Sequence, residues 1–314
     1  MVGHDAAHGM AHYALACTAC GKCCNSPPSM SLAELLRHGE RFVGCLAIGR
    51  QPVRRAGEHR LAAADAVAID ELSQSLFHRS AAFGSDWIVL TLQGYDYPSL
   101  GRCAALADDG RCTLHETGKP AMCAAVPLDP LLPDRLQTRV LEGRRESAQW
   151  LGADCIRTTA TAGAAPLVLE GKVADAEALA RFRGALAFER SIWRDAVFAS
   201  LHDAAADLRG ALARLGAGGH LTVSLVPALM AAARVSARCR ELCVAYIDNQ
   251  VALIERTVEA ALARRRLDDR PVTRELRGFA QAYAGARELL VAPGWRPDAA
   301  RADAPEIEAW LGAA

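Results

Sequence analysis

The chain has no excess of charge of either sign, with 36 Lys and Arg against 36 Asp and Glu in 314 residues. A phosphate backbone is bound through a basic footprint, so nucleic acid is not an expected partner. Long apolar runs are also missing. The longest stretch without Asp, Glu, Lys or Arg, 215–233, is broken by Gly216, Gly218, Gly219, His220 and Pro227, so no membrane span is expected. The opening residues Met1-Val-Gly-His4-Asp5 lack the basic and apolar regions of a secretory signal, which makes the cytoplasm the expected address. There is no Gly-x-Ser-x-Gly, no His-Glu-x-x-His and no P-loop. Serine-hydrolase, zinc-protease and nucleotide-loop chemistry therefore have no sequence support.

What the chain does have is cysteine, 11 in all, nine of them at or before Cys155. In a compartment that keeps thiols reduced, such a set favours metal or redox chemistry over a disulfide framework. The length suggests two domains. The composition changes near 158–166, a small-residue stretch without charge, giving an expected cysteine-rich domain over 1–157 and a helical domain over 158–314.

Within the first part, Ser31-Leu-Ala-Glu34 is a capping-box pattern that predicts a short helix to about Gly39. A weaker helical pattern covers Asp65 to Phe77, and Trp87 to Leu92 is the best strand candidate. In the second part helices are expected over Ala176–Phe188, Ile192–Leu215, Leu225–Arg266, Thr273–Leu290 and Pro305–Leu311, forming an antiparallel bundle. The fold class expected is mainly α: an irregular cysteine-rich metal-binding domain with a short β-hairpin, followed by that bundle.

The first cysteine group reads Cys17-Thr-Ala-Cys20-Gly-Lys-Cys23-Cys24. Two residues between cysteines let a tight turn point both sulfurs at one ion, and Gly21 permits the backbone such a turn needs. Lys22 adds a positive charge that favours thiolate. In extended chain Cys23 and Cys24 would face opposite sides, so either they serve two sites or one of them is not a ligand. The second group holds Cys103, Cys112 and Cys123. Asp109-Gly110 is a turn signal that predicts a hairpin flanked by Cys103 and Cys112. Zinc and iron–sulfur clusters ordinarily take four sulfurs, so the two groups are expected to close on each other, with Cys155 as a supplement.

The pattern Cys17-x-x-Cys20-Gly-x-Cys23-Cys24, then Gly-x-Cys103, Gly-Arg-Cys112-Thr-Leu and Lys-Pro120-x-x-Cys123-x-x-x-Pro127, resembles the YkgJ-type cysteine-cluster family, a zinc- or iron-chelating domain. The resemblance covers about 17–127. His115-Glu116 and Lys119-Pro120 stand where the family has an aromatic before its acidic residue and Arg-Pro, departures that touch packing and charge. The resemblance implies metal binding through Cys17, Cys20, Cys23, Cys24, Cys103, Cys112 and Cys123. A similar motif in flagellin lysine-N-methylase implies a 4Fe-4S cluster and, as an alternative function, methyl transfer from S-adenosylmethionine to a protein lysine. That likeness tips the expected cofactor to a 4Fe-4S iron–sulfur cluster, with zinc the alternative. The expected partners are thus the metal ion or cluster and a possible protein substrate.

Cys45, Cys239 and Cys243 sit in apolar patterns and are expected to be core residues. His4, His8 and His12 could line one helical face, but Gly9 and the chain end favour an irregular tail. The glycines at 216–219 read as an interhelical turn.

Overall fold

The computed structural model describes residues 12–17, 21–57, 61–81, 84–147, 155–158, 163–203, 206–216, 219–298 and 301–313, with the side chains of 202–209 outside the description. The chain forms two compact units assembled from interleaved segments. One comprises 1–26, 54–76 and 105–185, the other 27–53, 77–104 and 186–314. The units are therefore not the sequence halves 1–157 and 158–314. The physical reason is strand pairing across the expected boundary. Strand β1 (Tyr13–Leu15) pairs on one side with β5 (Ile156–Arg157) and on the other with β6 (Ala165–Leu169). The stretch expected to be a linker thus runs into the middle of a sheet.

The first unit is built on the antiparallel order β5-β1-β6-β7, with β7 at Lys172–Val173. The β6–β7 turn has Glu170 and Gly171 both at positive φ, the arrangement a two-residue hairpin needs to match strand twist. Helices α2 (Ala63–Leu76), α3 (Ala121–Ala125), α4 (Gln137–Ser147) and the start of α5 (Glu177–Glu189) complete it. Its core joins Tyr13, Ile156 and Val168 from the sheet to Ala125, Leu128, Leu141 and Leu179. The segment after α3 is tied down by side chains. Gln137 accepts from the Asp129 amide at 2.8 Å and donates to the Asp129 and Leu132 carbonyls, while Arg183 donates to the Pro130 and Leu132 carbonyls.

The second unit has the antiparallel order β2-β4-β3-β8, with β2 at Ser29–Met30, β3 at Val43–Gln51, β4 at Trp87–Tyr95 and β8 at His220–Ser224. Strands β3 and β4 pair along their whole length, from Val43 opposite Tyr95 to Gln51 opposite Trp87. The capping box forms as read. The Glu34 amide donates to Ser31 Oγ at 3.1 Å and the Ser31 amide to Glu34 Oε2 at 2.8 Å, opening α1 (Leu32–Arg37). Helices α6 (Asp195–Asp203), α7 (Ala206–Arg214), α8 (Val226–Ala233), α9 (Ala237–Arg264), α10 (Arg270–Val291) and α11 (Ala304–Leu311) follow.

Three helix expectations change. Residues 177–203 are one helical run through a π-helical turn at Arg190–Arg194, where two helices were expected. The run expected over 225–266 breaks before Ser236, which caps α9 by accepting from the Cys239 amide. Between α7 and α8 lies β8 rather than a plain turn, and it pairs with β3. Helix accounts for 54% of the chain, so mainly α with two small sheets describes the class. The second half contributes β6, β7 and β8 as well as helices, so it is not a helical bundle alone. Among the described residues no helix is long and apolar enough to cross a membrane.

Two buried ionisable groups contribute opposite pH dependences in the second unit. Glu189, fully buried, accepts from the Leu32 and Ala33 amides and the indoles of Trp193 and Trp310; burial lifts its carboxyl to about 7 against the pull of those donors. His78, 3% exposed, stacks on Phe198 and places Nε2 2.9 Å from Asp195 Oδ1; burial holds its imidazole down at about 4.

The signs are opposite. Unfolding lets His78 bind a proton, so the stability of its neutral form is full above about 6.5 and is lost as pH falls toward about 4. Unfolding makes Glu189 release one, so its contribution is full below the ordinary 4.5 and is lost as pH rises through about 7. Each slope is limited to about 1.4 kcal/mol per pH unit. His78→Phe keeps a ring against Phe198 and removes one slope. We predict that its urea midpoint falls as pH rises from about 4.5 to 6.5, while the parent stays nearly level. Parallel profiles for the two proteins would contradict this assignment.

Candidate metal centre

The first sulfur-bearing segment is positioned by β1. Leu15 is opposite Ile156, and the Ala16 amide donates to the Cys155 carbonyl at 2.8 Å. Cys17, exposed, and Cys155, 4% exposed, therefore lie at the same end of the β1–β5 pair. Cys20 lies outside the described residues, as do His4 and His8.

The chain turns at Gly21, whose φ of 71° is left-handed and suits glycine. A Cβ there would also meet Leu106 Cδ2 at 3.0 Å. A short 3-10 turn, Lys22–Cys24, follows. In that turn the Cys23 and Cys24 sulfurs stand 3.9 Å apart. This corrects the expectation that neighbouring cysteines face apart, which holds for extended chain and not for a helical turn.

Leu106, against Gly21, pairs with Cys112 across a tight hairpin. The Ala107 amide donates to Arg111 O at 2.8 Å and the Thr113 amide to Ala105 O at 2.8 Å, closing the turn read from Asp109-Gly110. Cys123 lies in α3, and Cys23 and Val126 both pack against the apolar cluster that includes Ala125. In this way the segments carrying Cys17, Cys23, Cys24, Cys112, Cys123 and Cys155 are held in one unit. Cys103, buried, falls in the segment of the other unit that ends at Ala104.

The Cys24 thiol and then burial raise the Cys23 pKa well above the ordinary thiol value, while a backbone hydrogen bond and the positive charge of Lys119 act the other way. Lys119 was noted in the sequence only as part of Lys119-Pro120; its bearing on Cys23 depends on the fold. Cys45, Cys239 and Cys243 are fully buried, in keeping with the core role read from their apolar patterns.

The donor set suits a soft ion. Thiolates favour zinc and iron–sulfur centres, and two sulfurs about 2.3 Å from a tetrahedral ion stand about 3.8 Å apart. The 3.9 Å between Cys23 and Cys24 matches that edge. No disulfide joins any of the ten described cysteines. Among the described residues no group of three or more His, Cys, Asp or Glu forms a ready metal-binding set. Comparison with family models, curated proteins and solved structures returns no match to this chain.

Proposed function

We propose that the protein binds metal through clustered cysteine thiolates, holding an iron–sulfur cluster of the 4Fe-4S type or, as the alternative, zinc. The observation that carries the reading is the gathering of segments distant in sequence into one unit, with the Cys23 and Cys24 sulfurs at the separation that ligands of one ion adopt. The ligands are drawn from Cys17, Cys20, Cys23, Cys24, Cys103, Cys112, Cys123 and Cys155. The motif resemblance to the YkgJ-type family and to flagellin lysine-N-methylase favours the cluster over zinc. A reducing, cytoplasmic setting belongs to the same reading, because ligation requires thiolates.

When bound, a cluster would supply one-electron or Lewis-acid chemistry, and zinc would supply structure or Lewis acidity. The residues around it have defined tasks. Gly21 turns the chain between Cys17 and Cys23, Lys119 favours negative charge on Cys23, and the Tyr13–Ile156 core fixes the strand end from which Cys17 and Cys155 emerge.

Anaerobic purification followed by absorbance and elemental analysis tests the reading. The expected result is a brown protein with iron and acid-labile sulfide. A colourless protein with stoichiometric zinc selects the alternative, and a protein with neither, which takes up neither when reduced, removes the proposal.

A further inference from the structure

Cys23 and Cys24 are suited to more than ligation. Both sulfurs are on half-buried residues of the same 3-10 turn, 3.9 Å from each other. The turn is short and follows Gly21 in its left-handed conformation, so closing the remaining gap to a bonded length of about 2.05 Å is a local adjustment. Neighbouring Cα atoms are about 3.8 Å apart across a trans peptide, less than the span of about 4.4 Å at which ordinary disulfides begin. A disulfide between them closes a strained ring, and strained disulfides are the readily reduced, regulatory kind.

We propose that Cys23 and Cys24 are a reversible thiol–disulfide switch, closed by a peroxide and reopened by a dithiol, whose closure discharges the metal. One sulfur attacks a peroxide oxygen, the O–O bond breaks, and a sulfenic acid and one water form. The neighbouring sulfur displaces the hydroxyl as a second water while the S–S bond forms. Two thiols thus lose two electrons and two protons, and hydrogen peroxide becomes two waters. Both sulfurs are then spent as thiolate donors, and the remaining cysteines hold metal less well. The metal consequence rests on the proposed function; formation of the disulfide does not.

The test uses the full, reduced chain as purified, treated with an equivalent of hydrogen peroxide and then with an alkylating reagent. Mass spectrometry should show the peptide carrying Cys23 and Cys24 lighter by two hydrogens, unalkylated and restored by dithiothreitol. The oxidised chain should take up zinc, or iron with sulfide, only to background, and the re-reduced chain should recover full uptake. In Cys23→Ser a sulfenic acid on Cys24 should be trapped by dimedone.

Cys23 and Cys24 left as thiols, carried to sulfinic acids, or joined to other cysteines would each overturn the switch. Unchanged metal uptake by the disulfide form would overturn its link to the metal. A disulfide that forms in a chain unable to bind either metal when reduced would instead remove the proposed function and leave the thiol chemistry standing.

Discussion

Stripping the proposed metal from the reduced chain with a strong chelator is expected to unfold the first unit while the second keeps its sheet. The sheet of the first unit is slight. Three of its four strands are of two or three residues, and its core cluster is assembled from small contributions by many segments. Isolated short strands are marginal in water, and a bound structural metal contributes on the order of 10 kcal/mol. In the second unit β3 and β4 pair over nine residues each, and Tyr283 and Gln250 tie α10 and α9 to the β3 end. Hydrogen exchange followed by mass spectrometry reads both units in one experiment. Faster exchange in β1, β5 and β6 with persistent protection in β3 and β4 is expected. No change in the first unit after verified metal removal would show that the site does not support its fold.

Glu189→Ala should be the most damaging single substitution in the second unit. The carboxylate accepts four N–H donors: two amides at the start of α1, at 2.7 and 3.3 Å, and two indoles, at 2.9 and 3.2 Å. Alanine leaves the Leu32 and Ala33 amides and the Trp193 indole buried without an acceptor, with the Trp310 indole only half-buried, and each orphaned buried donor costs about 1–3 kcal/mol. Some relaxation will recover part of that, so a loss of at least about 3 kcal/mol is expected, read as a lower urea midpoint with early exposure of α1. Glu189→Gln keeps one acceptor oxygen and sets an amide NH2 against a donor, so it should fall between parent and alanine. A loss under about 1 kcal/mol for alanine would mean that the four donors have other acceptors.

Local signals in the sequence carried far, and long-range pairing did not. The hydroxyl and carboxylate of Ser31 and Glu34 specify a motif within four residues, and it forms as written. The same holds for the Asp109-Gly110 turn and for the β-branched and aromatic run that becomes β4. Strand β3 was legible only as an apolar run around Cys45. It is buried on both faces over its first six residues, so it lacks the alternation that marks a half-exposed strand. The 220–224 segment was overshadowed by the glycines before it, and its identity as a strand comes from pairing with β3, far away in sequence.

The compact units depart from the composition boundary for the same reason. Composition changes near 158, but β1 draws 165–168 back beside residues 13–15. For the candidate centre, residue type and spacing singled out the sulfurs. What spacing could not convey was the backbone of Lys22–Cys24, where a helical turn rather than extended chain brings two neighbouring thiols within reach of one ion.

X-ray absorption at the metal edge of the loaded, reduced chain gives the most direct test of sulfur ligation. A first shell of four sulfurs at about 2.3 Å is expected, accompanied by an iron–iron shell if the group is a cluster. A shell dominated by nitrogen or oxygen at about 2.0–2.2 Å would contradict the account.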